Sequence, residues 1–383
     1  MNLRRCVSYF SILLSYFFFI SCEQKEETPK SENLLELSFQ IDTVMMDVGE
    51  EIPFLQSSLW GAGVSPDRKT LLNFNTSTFK MEVYDLDSLK LKGLIPLEKE
   101  GPRGIGDDTY IPNLEIDETL NTYIFHFNEI VKIDSDWANV DFLRFGPNDG
   151  IDGYDLDPEE DINMDGFISQ DGQYYISYYG SVDFVEPREG IAIVDIRDNK
   201  MRKVALPALK KLRPFTITAN MENGGGTIAA IPDTYMISVG GTLYYSSDSF
   251  NEVFKIDMST LEIEHKVFNS SLTENQKVST FEELAPSREK YFEFIGLREK
   301  EVQFGPLHYD ESRKMFWRFS SHPDKLGEER VLTLFDAELN QIYEGKVGEF
   351  EYGSFSFLKD GDYYQIVNLE DDMAVVRFKI RIN

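Results

Sequence analysis

The sequence predicts an all-β protein, a six-bladed β-propeller closed by its own N-terminal strand and carrying a short helical insertion, on three observations. First, a strand, a tight polar turn and a second strand recur with turn markers at Asp67, Asp117, Asp171, Gly240, Asp310 and Asp360. The intervals of 50, 54, 69, 70 and 50 residues are those of a radial or stacked repeat. Second, five of the six hairpins are followed by an apolar strand ending in aspartate, at Asp85, Asp134, Asp195, Asp257 and Asp336, and a polar turn and a fourth strand follow each. Third, the sixth unit stops at Asn383 one strand short, while Leu34 to Val44 forms a strand with no unit of its own. Pairing the two closes the ring and removes an exposed edge.

The elements follow in order. Residues 1–21 carry Arg4 and Arg5, no acid, and then the apolar run VSYFSILLSYFFFIS. This is a signal peptide, too short to span the roughly 20 residues a membrane helix needs. Phe19-Ile20-Ser21-Cys22 resembles the lipobox of bacterial lipoproteins, with Phe19 where leucine is usual, so Cys22 is expected to be acylated and to become the new N-terminus. Several acyl chains on one residue anchor a protein stably without spanning the bilayer. Residues 22–32 (CEQKEETPKSE) are polar and form a flexible linker, and residues 33–383 form the propeller. The start of the linker, Gln24-Lys25-Glu26-Glu27, also resembles the export signal that places some lipoproteins on the outer face of the outer membrane. A periplasm-facing position is the alternative.

Within the body, Glu100-Gly-Pro-Arg-Gly-Ile-Gly106 has neither phosphate-loop spacing, and Asp107 and Asp108 follow it, so it reads as a turn between blades. Leu206 to Pro214 is the locally basic stretch of an acidic body, read as a solvated loop or a contact for an acidic partner. Ser271 to Glu301 reads as helical, starting near Pro286 and Ser287 and turning Phe292 and Ile295, with Phe294 as a further candidate, inward as a lid or brace over one end of the ring.

Composition limits function. The formal charge is −29 and becomes −31 once Arg4 and Arg5 leave with the signal peptide, a surface that repels phosphate backbones and excludes nucleic acid. Yet 42% of residues are hydrophobic and 13% aromatic, enough for a large core. Cys6 leaves with the leader and Cys22 is acylated, so the body has no disulfide and no thiolate chemistry.

The leader and lipobox, the strand Leu-Ser-Phe-Gln-Ile-Asp-Thr-Val, the hairpin Val64-Ser-Pro-Asp67 and the run Glu98 to Gly106 together resemble an uncharacterised family of TolB-like, six-bladed-propeller lipoproteins of Gram-negative bacteria. The resemblance implies a fold and a location. It brings no activity with it.

Two candidate sites come from the residues themselves. Asp161-Ile-Asn163-Met-Asp165-Gly-Phe-Ile matches calcium-loop positions 1, 3, 5, 6 and 8, although position 12 is Gly172, inside a hairpin turn, so a site would use Asp161, Asn163 and Asp165 without an EF-hand. An acidic turn that binds no ion is the alternative. Of His126, His265, His308 and His322, His308 lies on an expected inner strand facing the channel and is the catalytic candidate. There is no H-E-x-x-H and no G-x-S-x-G. The sequence therefore favours a non-enzymatic envelope propeller, tethered to the membrane through Cys22 and binding a protein or glycan at the mouth of its ring. A calcium-dependent propeller hydrolase or lyase with an acidic channel is the alternative.

Overall fold

The computed structural model describes residues 37–55, 59–183, 185–221, 226–349 and 355–382. The expectations for the leader, for Cys22 and for the linker lie outside these residues.

Among the described residues the strands form seven sheets, six of them antiparallel meanders that follow the sequence repeat. The first runs through Ala62–Val64, Thr70–Asn75, Lys80–Asp85 and Lys90–Pro96, and the second through Leu114–Ile116, Thr122–Phe125, Ile130–Ile133 and Val140–Leu143. The third has Phe167–Ile168, Tyr174–Ser181, Gly190–Asp195 and Lys200–Ala205, with Glu160–Ile162 added at the edge of Tyr174–Ser181. The fourth has Thr234–Val239, Thr242–Ser247, Phe250–Asp257 and Ile263–Val267, and the fifth Gln303–Asp310, Met315–Ser321, Glu329–Phe335 and Gln341–Glu349. The sixth has Phe355–Lys359, Asp362–Leu369 and Asp372–Ile382, and its fourth strand is Leu37–Met45 from the other end of the chain.

The aspartates of the repeat have a common local cause. Asp85 Oδ1 accepts from the backbone N–H groups of Asp87 and Ser88, and Asp195, Asp257 and Asp336 cap the turns after them in the same way. Asp134 does so with Ala138 and Asn139. An aspartate that hydrogen-bonds the backbone two or more residues on folds the chain into a turn before any tertiary contact forms. In the sixth sheet the corresponding strand has no such residue and instead receives Leu37–Met45.

Neighbouring residues on a strand point to opposite faces, and here both faces are buried. Leu71 packs with Tyr364 and Val375 of the sixth sheet, while Leu72 packs with Ile116 and Ile124 of the second. The pairs Tyr123 and Ile124, Tyr175 and Ile176, Tyr244 and Tyr245, and Phe316 and Trp317 divide in the same manner. Each sheet thus packs on the next, and the sixth on the first, which is the arrangement of a β-propeller. A cavity of about 400 Å³ is lined by the first strands of all six meanders.

Ring closure is the pairing of Leu37–Met45 with Asp372–Ile382, in register from Leu37 opposite Ile382 to Met45 opposite Ala374. Asp42 locks it, its two carboxylate oxygens accepting from Arg377 at 2.9 and 2.6 Å and one also from Lys379 at 3.0 Å.

The insertion differs from the sequence reading. Only Arg288–Arg298 is an α-helix, capped by Ser287 Oγ as its position suggests. The preceding residues form an extended strap, bridged to the fourth sheet at Gln276 and held where Lys277 Nζ reaches Asp248 at 2.5 Å in a buried pair. Phe292 does not turn inward: it is exposed, while Ile295 and Phe294 do, packing with Tyr291 on a small sheet of Ile217–Asn220, Thr227–Ala230 and Leu284–Ala285. The basic stretch is also not a free loop. Pro207–Phe215 is a 3₁₀ helix that buries Leu209, Leu212 and Phe215, and its charges meet internal acids, Lys210 with Glu189, Lys211 with Glu252 and Arg213 with Glu186 and Glu283.

Asp42→Asn is expected to cost about 1–2 kcal/mol of stability at pH 7, the range for charge-assisted hydrogen bonds reduced for solvent screening. Arg377 and Lys379 hold the Asp42 carboxyl down to about 2. A depressed acid contributes stability above its unfolded value, near 4, and loses it as pH falls through the folded one. Urea unfolding should therefore show a gap between wild type and variant at pH 7 that narrows toward pH 2.

Candidate functional site

The face of the ring formed by the links between second and third strands, and by the links entering each sheet, holds a cleft of about 710 Å³ between the second and third sheets. Its wall on the second sheet comes from Tyr110 to Asn113, leading into Leu114–Ile116, and from His126 to Asn128, the tight link closed by His126 N–H on Glu129 O at 2.9 Å. The opposite wall is Asp161 to Gly166 with Ser181, Val182 and Arg188. A smaller cavity of about 300 Å³ shares Asn163, Asp165 and Arg188 and extends the cleft toward Asp233 and Thr234 at the fourth sheet.

His126 is the unusual residue of this cleft. Its side chain is 6% exposed, yet neither Nδ1 nor Nε2 has a hydrogen-bond partner, and the Asp108 carboxylate stands 3.6 Å from Nδ1. Burial pushes its pKa down, with Asp108 pulling the other way. The ring is thus neutral at pH 7, one nitrogen an N–H donor and the other an acceptor. A buried polar group left unpaired costs about 1–3 kcal/mol, and that cost is recovered when a ligand supplies the partner. Nearby, Tyr110 is 53% and Phe127 68% exposed, and Trp60 stands edge-on to Tyr110 at 6.4 Å.

The proposed calcium residues all line this cleft. Asp161 Oδ1 accepts from Tyr154 Oη at 2.6 Å and from the N–H of Ile162 at 2.8 Å. Asn163 is tied through its backbone, its carbonyl accepting from Tyr175 Oη at 2.5 Å and Ser177 Oγ at 2.8 Å. Gly166 does not have the positive φ of a sharp turn; it is glycine because a Cβ would collide with the carbonyl oxygen of Ile176. Among the described residues no group of three or more His, Cys, Asp or Glu side chains is set to hold a metal.

His308 lies where the sequence placed it, on an inner strand lining the central cavity, edge-on to Tyr363 at 5.2 Å. Burial, with Arg68 nearby, lowers its pKa to about 4, which leaves a neutral and weak base. The same cavity holds Glu115, which sequence reasoning missed. Its Oε1 accepts from Asn113 Nδ2 at 2.8 Å and its Oε2 from the N–H of Ile168 at 2.6 Å, joining two sheets that share no backbone ladder. Burial raises this carboxyl to about 7, against the lowering effect of the two hydrogen bonds. His126 and Glu115 carry no local motif, so their sequence neighbourhoods gave no signal.

Residues 34–346 match a family model described as Domain of unknown function (DUF4221). A crystal structure of a member of that family from Bacteroides vulgatus superposes with a TM-score of 0.63 at 16% identity, covering 92% of this chain and all of that one. A putative exported protein from Bacteroides fragilis does so with 0.51 at 11% identity, covering 93% and 98%. At such identities the likeness is one of fold. No curated protein matches the chain in sequence.

Glu115→Gln tests the central carboxylate. An acid raised in the folded state loses stability as pH climbs from its unfolded value, near 4.5, to about 7. The glutamine variant, with the Asn113 amide turned to accept from the new NH2, should unfold like wild type at pH 4 and be more stable by about 1–2 kcal/mol at pH 8, a gain discounted because the side chain borders an open cavity.

Proposed function

Since the chain belongs to the DUF4221 family, no activity comes to it by kinship, and we propose from its own geometry that it is a cell-envelope lipoprotein whose six-bladed propeller binds a protein or glycan without turning it over. The observation that carries the reading is the cleft containing His126, a ligand-sized cavity with aromatic sides and a buried side chain whose ring nitrogens make no hydrogen bond. Small-molecule sites have volumes of about 300–1,000 Å³ and combine apolar walls with a few convergent polar groups. Acyl chains on Cys22 tether the body, on the outer membrane and facing outward in the reading favoured by the linker. Likeness in fold to a putative exported protein of Bacteroides fragilis supports an envelope location, and among the described residues no helix is long and apolar enough to cross a membrane.

A hydrolytic centre in the central cavity has less support. Both oxygens of Glu115 already accept protein hydrogen bonds, and His308 at about 4 is too weak a base to be charged at neutral pH.

Expressed in a Gram-negative host, the protein should incorporate radiolabelled palmitate, and Cys22→Ser should abolish the label. The full-length acylated protein, purified in detergent, is then immobilised and exposed to envelope fractions. Wild type should retain material that Tyr110→Ala/Phe127→Ala does not, while Glu118→Ala, on a hairpin turn of the opposite face, should behave as wild type. Equal retention by all three would reject the cleft as the binding face. Calcium bound by Asp161, Asn163 and Asp165 would appear as a chelator-sensitive rise in unfolding midpoint, about 2.7 kcal/mol at a hundredfold excess over Kd.

A further inference from the structure

Resting on the reading of this face as a binding face, we infer that the cleft between the second and third sheets is a subsite for a neutral oligosaccharide. Its sugar rings lie against Tyr110 and Phe127, and their hydroxyls pair with His126, Asn128, Asn163 and Asp165.

The argument begins with the two nitrogens of His126. One donates and one accepts, so a ligand satisfies both only if it offers an acceptor at one edge of the ring and a donor at the other. A hydroxyl is both. A carboxylate, sulfate or phosphate supplies acceptors alone and would also meet Asp108, Asp161 and Asp165 around the same cleft. Arg188 does not reverse that sign, because its single positive charge is set against Asp165 and leaves Asp108 and Asp161 uncompensated around the cleft. An ammonium ligand would leave the imidazole N–H without a partner.

The walls point the same way. Asn128, Asn163 and Asp165 line the cleft, the two amides able to donate to and accept from hydroxyls and the carboxylate to accept from them. Tyr110 and Phe127 expose ring surface beside them, and the C–H face of a pyranose is the apolar surface that such rings cover. An extended peptide fits less well. The edge strand Glu160–Ile162 is three residues long, and the N–H of Ile162 is taken by Asp161 Oδ1, so there is little open backbone to extend. The adjoining cavity beyond Asn163, Asp165 and Arg188 lengthens the site, which suits an oligosaccharide better than a single sugar.

Isothermal titration of the full-length acylated protein in detergent with cellohexaose, maltohexaose, mannohexaose and xylohexaose tests this, with hexagalacturonate and a neutral extended hexapeptide as contrasting arms. At least one neutral hexasaccharide should saturate the protein. Tyr110→Ala should weaken it about tenfold, the loss of one aromatic contact. His126→Phe should weaken it by about tenfold or more while moving the unfolding midpoint little, because neither nitrogen makes a protein hydrogen bond and the Asp108 carboxylate 3.6 Å from Nδ1 is partly open to solvent. Binding of the acidic sugar or the peptide in preference to every neutral sugar overturns the inference, as does sugar binding indifferent to both variants. If no sugar binds while Tyr110→Ala/Phe127→Ala still abolishes retention of envelope material, the glycan assignment falls and the binding face stands. If retention is also unaffected, both fall.

Discussion

Everything else in this fold depends on the pairing of its two ends. A meander of six sheets with its first and last strands apart would expose two strand edges and two apolar sheet faces. Joining Leu37–Met45 to Asp372–Ile382 removes the edges and brings the first and sixth sheets into contact, where Leu71, Tyr84, Met373 and Val375 bury one another. The triad of Asp42 with Arg377 and Lys379 adds a charge pattern that a strand slipped by one residue would turn to the other side of the sheet. Closure thus fixes the register, and register fixes which residues reach the loops on each face.

The ring also explains why the cleft can hold an unsatisfied histidine. Adjacent sheets touch through side chains and share no ladder, so where their loops diverge on one face a gap opens between walls that are each rigid. His126 sits at the end of one such wall, held by a tight turn and by the buried Phe125 beside it, while Asn163 is pinned on the other by Tyr175 and Ser177. Glu115 joins the same two sheets nearer the axis through the N–H of Ile168. The backbone that carries the polar groups of the cleft is therefore held in place by the fold itself.

What was legible in the sequence was local. The aspartates at 85, 134, 195, 257 and 336 announced their turns because each bonds backbone only two to five residues away. The spare strand at the start and the missing strand at the end announced closure because a four-strand repeat can be counted. The helix was overextended, since the strap before Ser287 is held by Asp248 and the fourth sheet, contacts far away in sequence that local preference does not carry. Phe292 was misplaced for a related reason: the helix packs on a small accessory sheet that the repeat did not predict, and that sheet selects Tyr291, Phe294 and Ile295. The cleft was illegible as a unit. Its residues come from links in two repeats, and the acidic motif around Asp161 drew the eye to a glycine that is there to let a strand pass.

The closing strand sets an order of events during folding. Each meander is made of neighbouring strands and can form as soon as its own residues are available, but the joint between Leu37 and Ile382 needs both ends of the described chain. The entropic cost of so distant a contact grows only slowly with length, so the joint is not weak; it is late. Any form of the chain in which that joint is open presents assembled sheets with an exposed seam, the kind of edge on which strands of other chains add.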